Sequence, residues 1–388
     1  PNFNIYAMNE AAKIYNRDNP NVKINIVETP WDDLQQKLIT SLSSGQANTL
    51  PDIILCQDNA ITKNMQNYPD AFLPLDGKVD LSQFAQFKAD FGEFNGKHYS
   101  VPFDNGATGT FIRRDYVEQA GLKVEDFDNI TWERFAELGK IVKAKTGKYM
   151  ISYVGNDPDV SMVMLQSAGL WWFDENGNCT IKDNPALKEG LGIYVQMIRE
   201  GTCLNVTDWN AFVASVNNGD VASSIDGSWM VGTISSVADQ SGKWAVVRTP
   251  RLEKCPGATN YSSQGGSSWM VMANSKNPDV AMDFLNKTFA GSVELYNTIL
   301  PTSGAIATWA PAAEAENYKK GNDFFGGQAI FADFVEYSTH VPRIKYGVYN
   351  YEAREQVGVA VSNILEKGMG LDAALKGAQE QVEFLMEE

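Results

Sequence analysis

The chain has 388 residues, 44% of them apolar and 21% charged, with a formal net charge of −16. That length exceeds what one hydrophobic core usually serves, so two domains are expected. The negative charge argues against a nucleic-acid partner, whose phosphates would be repelled, and no stretch approaches the roughly 18 apolar residues of a membrane span.

Helix and strand patterns alternate along the chain. Ile5, Met8, Ala12 and Tyr15 recur at helical spacing, and Val22, Ile24 and Ile26 alternate with Lys23 and Asn25 as in a half-buried strand. Thr29 is read as the N-cap of a helix with Pro30 at its first position and an apolar stripe of Leu34, Leu38 and Leu42. Residues 52–56 read as a short buried strand. Further helices open at Thr131, Asn184-Pro185 and Asn277-Pro278, and two more close the chain. Strands are expected over 148–153, 221–225, 244–247 and 269–273. Such alternation predicts an α/β fold with mainly parallel sheets covered by helices. An α/β lobe ordinarily opens with a strand, whereas this chain opens with a helix. A first strand and an export segment are therefore expected upstream of Pro1.

Ligands in open α/β sheets bind beyond the carboxyl ends of strands, so the turns there hold the candidates. They are Trp31 and Asp32, then Gln57 and Asp58, then Asp104 and Asn105, then Asp226 and Trp229. Gln264, Gly265 and Gly266 precede a late strand, and Trp171-Trp172 forms an aromatic pair. Carboxylates and amides beside aromatic rings suit a sugar, whose hydroxyls both donate and accept and whose ring faces stack on Trp or Tyr. Each candidate also has a structural reading. Trp31 extends the apolar face of its helix, and Asp32 favours a helix N-terminus by about 0.3–1 kcal/mol. Asp104 starts a turn, and Gly265-Gly266 relieve one. Of the pair Trp171-Trp172, one is expected in the core.

Four cysteines, none in CxxC spacing, and two histidines argue against a zinc site. Cys179 and Cys203 either pair across a helical hairpin or join Cys56 and Cys255 as free buried thiols; both readings stay open. Asp157-Pro158-Asp159 and the loop 174–178 have the spacing of oxygen ligands, but the loop lacks the closing glutamate of a calcium site. No metal and no cofactor is expected.

Four stretches carry a resemblance: IVETPWDDLQQKLITSL (26–42), LPDIILCQDNA (50–60), YSVPFDNGATGTFIRRD (99–115) and GDVASSIDGSW (219–229), with 265–273 following. Together they resemble the extracellular solute-binding proteins of carbohydrate ABC transporters, the maltose-binding-protein-like group. The resemblance implies a two-lobed periplasmic-binding-protein fold, each lobe a mainly parallel sheet flanked by helices, with the ligand cleft between lobes. Residues 1–104 and 261–307 would form the first lobe, lacking its first strand, and 105–260 with 308–388 the second.

Carried over by position, Gln57-Asp58, Asp104, Trp171 or Trp172, Trp229 and the stretch 346–351 with Tyr346 and Tyr349 would meet the sugar. Trp209, Ser303 and Lys345 complete the candidate set. The resemblance further implies a non-catalytic, monomeric receptor outside the cytoplasmic membrane, periplasmic or anchored by lipid on an upstream segment. Such a receptor delivers a neutral oligosaccharide to an ABC transporter permease.

The rival reading is a glycoside hydrolase. It needs two carboxylates about 5–5.5 Å or about 6.5–9.5 Å apart, for which Asp58, Asp104 and Asp226 are available. A solute sensor for a signalling receptor is a third reading on the same fold.

Overall fold

In the computed structural model the described residues are 3–155 and 157–387, with backbone alone for Phe3 and Asp32. The strands are β1 (Ile53–Gln57), β2 (Glu93–Phe94), β3 (Lys97–His98), β4 (Val101–Pro102), β5 (Thr108–Arg113), β6 (Ile151–Val154), β7 (Cys203–Val206), β8 (Ser223–Gly227), β9 (Trp244–Val247) and β10 (Ser267–Val271). The chain divides into two units, Pro1–Asn105 with Gly265–Lys320 and Gly106–Gln264 with Gly321–Glu388.

The first unit is built on a sheet of order β1-β10-β4, with Gln57 opposite Ser267 and Trp269 opposite Val101. Beneath it Phe103, Trp269 and Phe289 form a ring cluster with centroids 5.0–5.5 Å apart. The opening helix, Phe3–Asp18, is fastened to the helix Pro278–Lys287 by Tyr15 Oη, which donates to Asp283 Oδ2 at 2.7 Å. Residues 308–320 stay with this unit, where the sequence reading set the crossing after Ala307. Tyr318 Oη accepts from the Ala307 amide at 2.9 Å, and Asn317 Nδ2 donates to the Asn297 carbonyl at 2.7 Å.

The second unit has a sheet of order β8-β5-β9, in which β5 is buried throughout, and a separate pair β6-β7. Trp132, Trp172 and Trp244 are among its fully buried side chains. Its helices start as their caps dictate. Thr131 Oγ1 accepts from the Arg134 amide, and Asn184 Oδ1 from the Leu187 amide with Pro185 following.

Other expectations need correction. The sheets are mixed: β1-β10-β4 and β8-β5-β9 pair antiparallel, and β6-β7 is the parallel ladder. The parallel rule applies to strands joined by one covering crossover, as β6 and β7 are. Strands β1 and β10 come from separate passes of the chain, so nothing ties their directions.

Residues 22–26 keep the expected alternation of half-buried and exposed side chains. They join no ladder among the described residues, and Val27 is 68% exposed. A strand needs a neighbour for its amides and carbonyls, and the pattern alone does not supply one. Pro30, not Thr29, occupies the N-cap of the helix Trp31–Ser43, and no side chain caps it. The four cysteines are all free and buried, which removes the Cys179–Cys203 pairing.

Candidate functional site

In the first unit the candidates gather where β1 meets β10. Asp58 is the first residue of the helix Asp58–Asn67 and is 1% exposed; Lys88, on the helix Gln86–Phe91, is wholly buried. Lys88 Nζ donates to Asp58 Oδ2, and Ser268 Oγ donates to Oδ1 at 2.7 Å. Burial pushes the Asp58 carboxyl above its usual range, while the ammonium and the hydroxyl draw it back. Asp104 Oδ1 accepts from the Ser267 amide at 2.7 Å and from Ser267 Oγ at 2.5 Å.

Gly266 lies between these groups at φ +100°. A Cβ there would sit 2.6 Å from Lys88 Nζ and 2.7 Å from Asp58 Oδ2. Asp58, Asp104 and Gly266 are therefore brought together, and the two carboxylates brace the turn 266–268. Asn105 is buried and its amide donates to Ile306 O at 2.7 Å; Gln57 is half-buried and Gly265 exposed. Ser303 finishes its helix by donating to Ile299 O at 2.7 Å. Trp31 is half-buried, and the side chain of Asp32 lies outside the described residues.

In the second unit a polar and aromatic group gathers at the carboxyl end of β8. Asp226 is buried, accepts from Ser224 Oγ, and is pushed by that burial up to about 7. Tyr153 Oη donates to the neighbouring Ile225 carbonyl at 3.1 Å. Gly227 clears space for Trp229, since a Cβ there would overlap the indole nitrogen. Trp229 Nε1 donates to the Gln264 carbonyl at 3.0 Å. Trp209, first in its helix and capped by Asp208, is 50% exposed. Its ring lies 5.7 Å from Trp229 and 5.2 Å from Phe212. This is an aromatic surface with an open face and buried polar groups behind it.

Gln264 is held on several sides. Its amide donates to Gly106 O at 2.7 Å and its side-chain Nε2 to Asp159 Oδ2 at 3.1 Å. Asp159 shares the guanidinium of Arg354 with Asp157, at 2.8–2.9 Å. Burial first, and then the Asp157 charge, push Asp159 up to about 7, against the pull of Arg354. The Asp157-Asp159 pair thus already has its cation in an arginine. The loop 174–178 is a turn in which Asp174 accepts from the amides of Asn176 and Asn178, both at 2.9 Å. Among the described residues no group of three His, Cys, Asp or Glu side chains is placed to hold a metal ion.

Trp171 and Trp172 are both buried, where one was expected in the core. Trp171 Nε1 donates to Asn350 Oδ1 at 2.8 Å, and Tyr346, also buried, meets it edge-on at 5.0 Å. Tyr349 is half-buried and Lys345 exposed. The sequence reading missed Lys88, Tyr153, Asn350 and Arg354. Lys88 carried a signal, a cation between Phe87 and Phe91 on a short apolar helix. Arg354 carried none, because its partners are nearly two hundred residues away in the chain.

A family model for bacterial extracellular solute-binding proteins matches residues 2–289. A lactose-binding protein of Rhizobium radiobacter is 42% identical over 98% of this chain and 90% of its own. An arabinooligosaccharide-binding protein of Halalkalibacterium halodurans is 26% identical, over 98% and 86%. Among solved structures, the sugar-binding protein MalE of Xanthomonas citri superposes with TM-score 0.81 at 16% identity, over 99% and 95% of the two chains. The galacto-N-biose-/lacto-N-biose I-binding protein of an ABC transporter of Bifidobacterium longum does so with 0.78 at 20%, over 98% and 93%. Those structures share the two-lobed α/β fold.

Proposed function

The chain belongs to the bacterial extracellular solute-binding protein family, and on that premise we propose that it is a non-catalytic receptor for a neutral disaccharide or short oligosaccharide. The observation that carries this reading is the 42% identity to a lactose-binding protein along nearly the whole chain. The half-exposed Trp209 beside Trp229 supports it, because a pyranose face needs an open ring to stack on. The carboxylates Asp58 and Asp104, which a hydrolase would need facing its substrate, are buried and accept hydrogen bonds from the protein's own groups. That favours binding over hydrolysis.

The same proposal includes delivery to an ABC transporter permease, action as a monomer, and a place outside the cytoplasmic membrane through a lipid anchor or in a periplasm. Its support is the family and the transporter named with the Bifidobacterium protein. Among the described residues no helix is long and apolar enough to cross a membrane.

The test is calorimetric titration with lactose, β-1,6-galactobiose, maltose and an arabino-oligosaccharide, followed by chromatography of the sugar after prolonged incubation. The expected result is one-to-one binding of at least one of them, with the sugar recovered unchanged. At a hundred times Kd, such a ligand adds about 2.7 kcal/mol and raises the melting temperature. Silence with every sugar in a folded sample would overturn the carbohydrate reading. Shortened sugar after incubation would overturn the non-catalytic one.

A further inference from the structure

Trp229 is fixed from behind by a chain of contacts that runs through the second unit. Its indole rests in the notch left by Gly227, where a Cβ would come within 2.8 Å of the Gln264 carbonyl as well as clashing with the indole. That carbonyl accepts the indole N–H, so the ring's tilt depends on where residue 264 sits. Residue 264 lies at the edge of its unit beside Gly265, and its backbone is held by the hydrogen bond from its amide to Gly106 O, next to the antiparallel bridge of Ser263 with Ala107. Its side chain adds a second anchor, by donating to Asp159. Asp159 begins the helix Asp159–Ser167 and is itself held by Arg354, from the helix Asn350–Lys367.

We infer that Arg354 and Asp159 are positioning residues for the Trp229–Trp209 stacking surface, acting through the Gln264 side chain on the carbonyl that holds the Trp229 indole. The inference rests on the carbohydrate reading above. It assigns a binding role to residues with no exposed ring or hydroxyl to offer a sugar. An aromatic platform discriminates by the angle of its face, so a ring free to tilt loses part of its affinity to ordering.

The direction of the Gln264–Asp159 hydrogen bond gives a specific test. Gln264→Glu sets a second carboxylate against Asp159 where an amide donated. Asp159→Asn added to it lets an amide donate to the new carboxylate, restoring the bond in reverse. Arg354 also binds Asp157, at 2.9 and 2.8 Å, a contact that neither substitution removes. Two readouts are taken. One is the Trp229 indole resonance in a proton–nitrogen NMR spectrum of the sugar-free protein, assigned by its loss in Trp229→Phe. The other is the calorimetric Kd for lactose.

Gln264→Glu is expected to move the indole resonance and to weaken lactose binding about tenfold, the effect of losing roughly one hydrogen bond's worth of order. The double variant is expected to recover most of both. A double variant as weak as the single, or an unmoved indole resonance in folded Gln264→Glu, would overturn the inference. If Gln264→Glu fails to fold, Arg354→Met takes its place, since it removes Nη2, the nitrogen that touches both carboxylates. A shifted indole resonance then supports the inference, and an unmoved one overturns it. Should the resonance respond as expected while wild-type protein binds no lactose, the positioning chain stands and lactose is the wrong probe or class. Should lactose bind while the resonance ignores every variant, the carbohydrate reading stands and the chain fails.

Discussion

Replacing Lys88 by Met removes the ammonium from Asp58 while nearly keeping side-chain volume. The carboxylate left behind is 1% exposed, and Ser268 Oγ at 2.7 Å remains as a polar partner. Removing one member of a buried ion pair typically costs about 3–5 kcal/mol, because the other charge stays desolvated. The protein can escape part of that cost by taking up a proton. Burial already raises the Asp58 carboxyl, and the loss of Lys88 removes the largest opposing influence. The cost is therefore expected in full at pH 8 and in part at pH 5.

Urea unfolding of Lys88→Met, Asp58→Asn and the double variant, followed by tryptophan fluorescence at both pH values, checks this. The double variant should recover most of the stability at pH 8. The amide that Asp58→Asn introduces is neutral, keeps an acceptor for Ser268, and needs no cation. A Lys88→Met variant within about 1 kcal/mol of wild type at pH 8, or a double variant no better than the single, would refute the claim that this pair braces the turn.

Asp226→Asn is expected to stabilise the protein at pH 8 and to lose that advantage toward pH 4. The folded carboxyl titrates at about 7 against an ordinary 3.8, so between those values the folded state binds more protons and wild-type stability falls as pH rises. The difference amounts to at most about 4 kcal/mol. Thermal melts across pH 4–8 that keep a constant gap between the two proteins would count against it. Gly266→Ala is expected to cost about 2 kcal/mol or more, since φ +100° disfavours a side chain and its Cβ would collide with Lys88 Nζ and Asp58 Oδ2. An unchanged melting temperature would show that the turn yields freely.

Much of the helical framework was legible because its punctuation is local. Thr131 and Asn184 cap where they were expected to, and β9 falls where the apolar run 244–247 put it. What was not legible depends on distant partners. The alternation at 22–26 has the period of a strand, but period says nothing of whether a neighbour's backbone is within reach. Strand direction failed for the same reason: β1 and β10 meet across more than two hundred residues. Within the site, residue type was a better guide than role. Asp58, Asp104, Asp226 and the paired tryptophans were all picked out, yet sequence does not distinguish a carboxylate that greets a ligand from one that ties down a turn.

The electrostatics of a neutral ligand explain why so many of these carboxylates turn inward. A sugar brings no charge, so it cannot compensate an anion that it helps to desolvate. Each buried carboxylate near the candidate surfaces must therefore be balanced by the protein itself. Asp58 has Lys88, and the half-buried Asp159 has Arg354. Asp226, with no cation among its contacts in the described residues, has the Ser224 hydroxyl and a titration point raised toward neutrality. Once balanced, these groups are poor partners for solvent and good fasteners of backbone. They hold the turn 266–268 in one unit and the carbonyl under Trp229, through Gln264, in the other. On the proposed reading stacking falls to Trp209, whose face needs no electrostatic compensation and whose exposure, at 50%, exceeds that of every other tryptophan described. On this argument affinity for a neutral sugar should respond more to the Trp209–Trp229 surface and its supports than to any single aspartate.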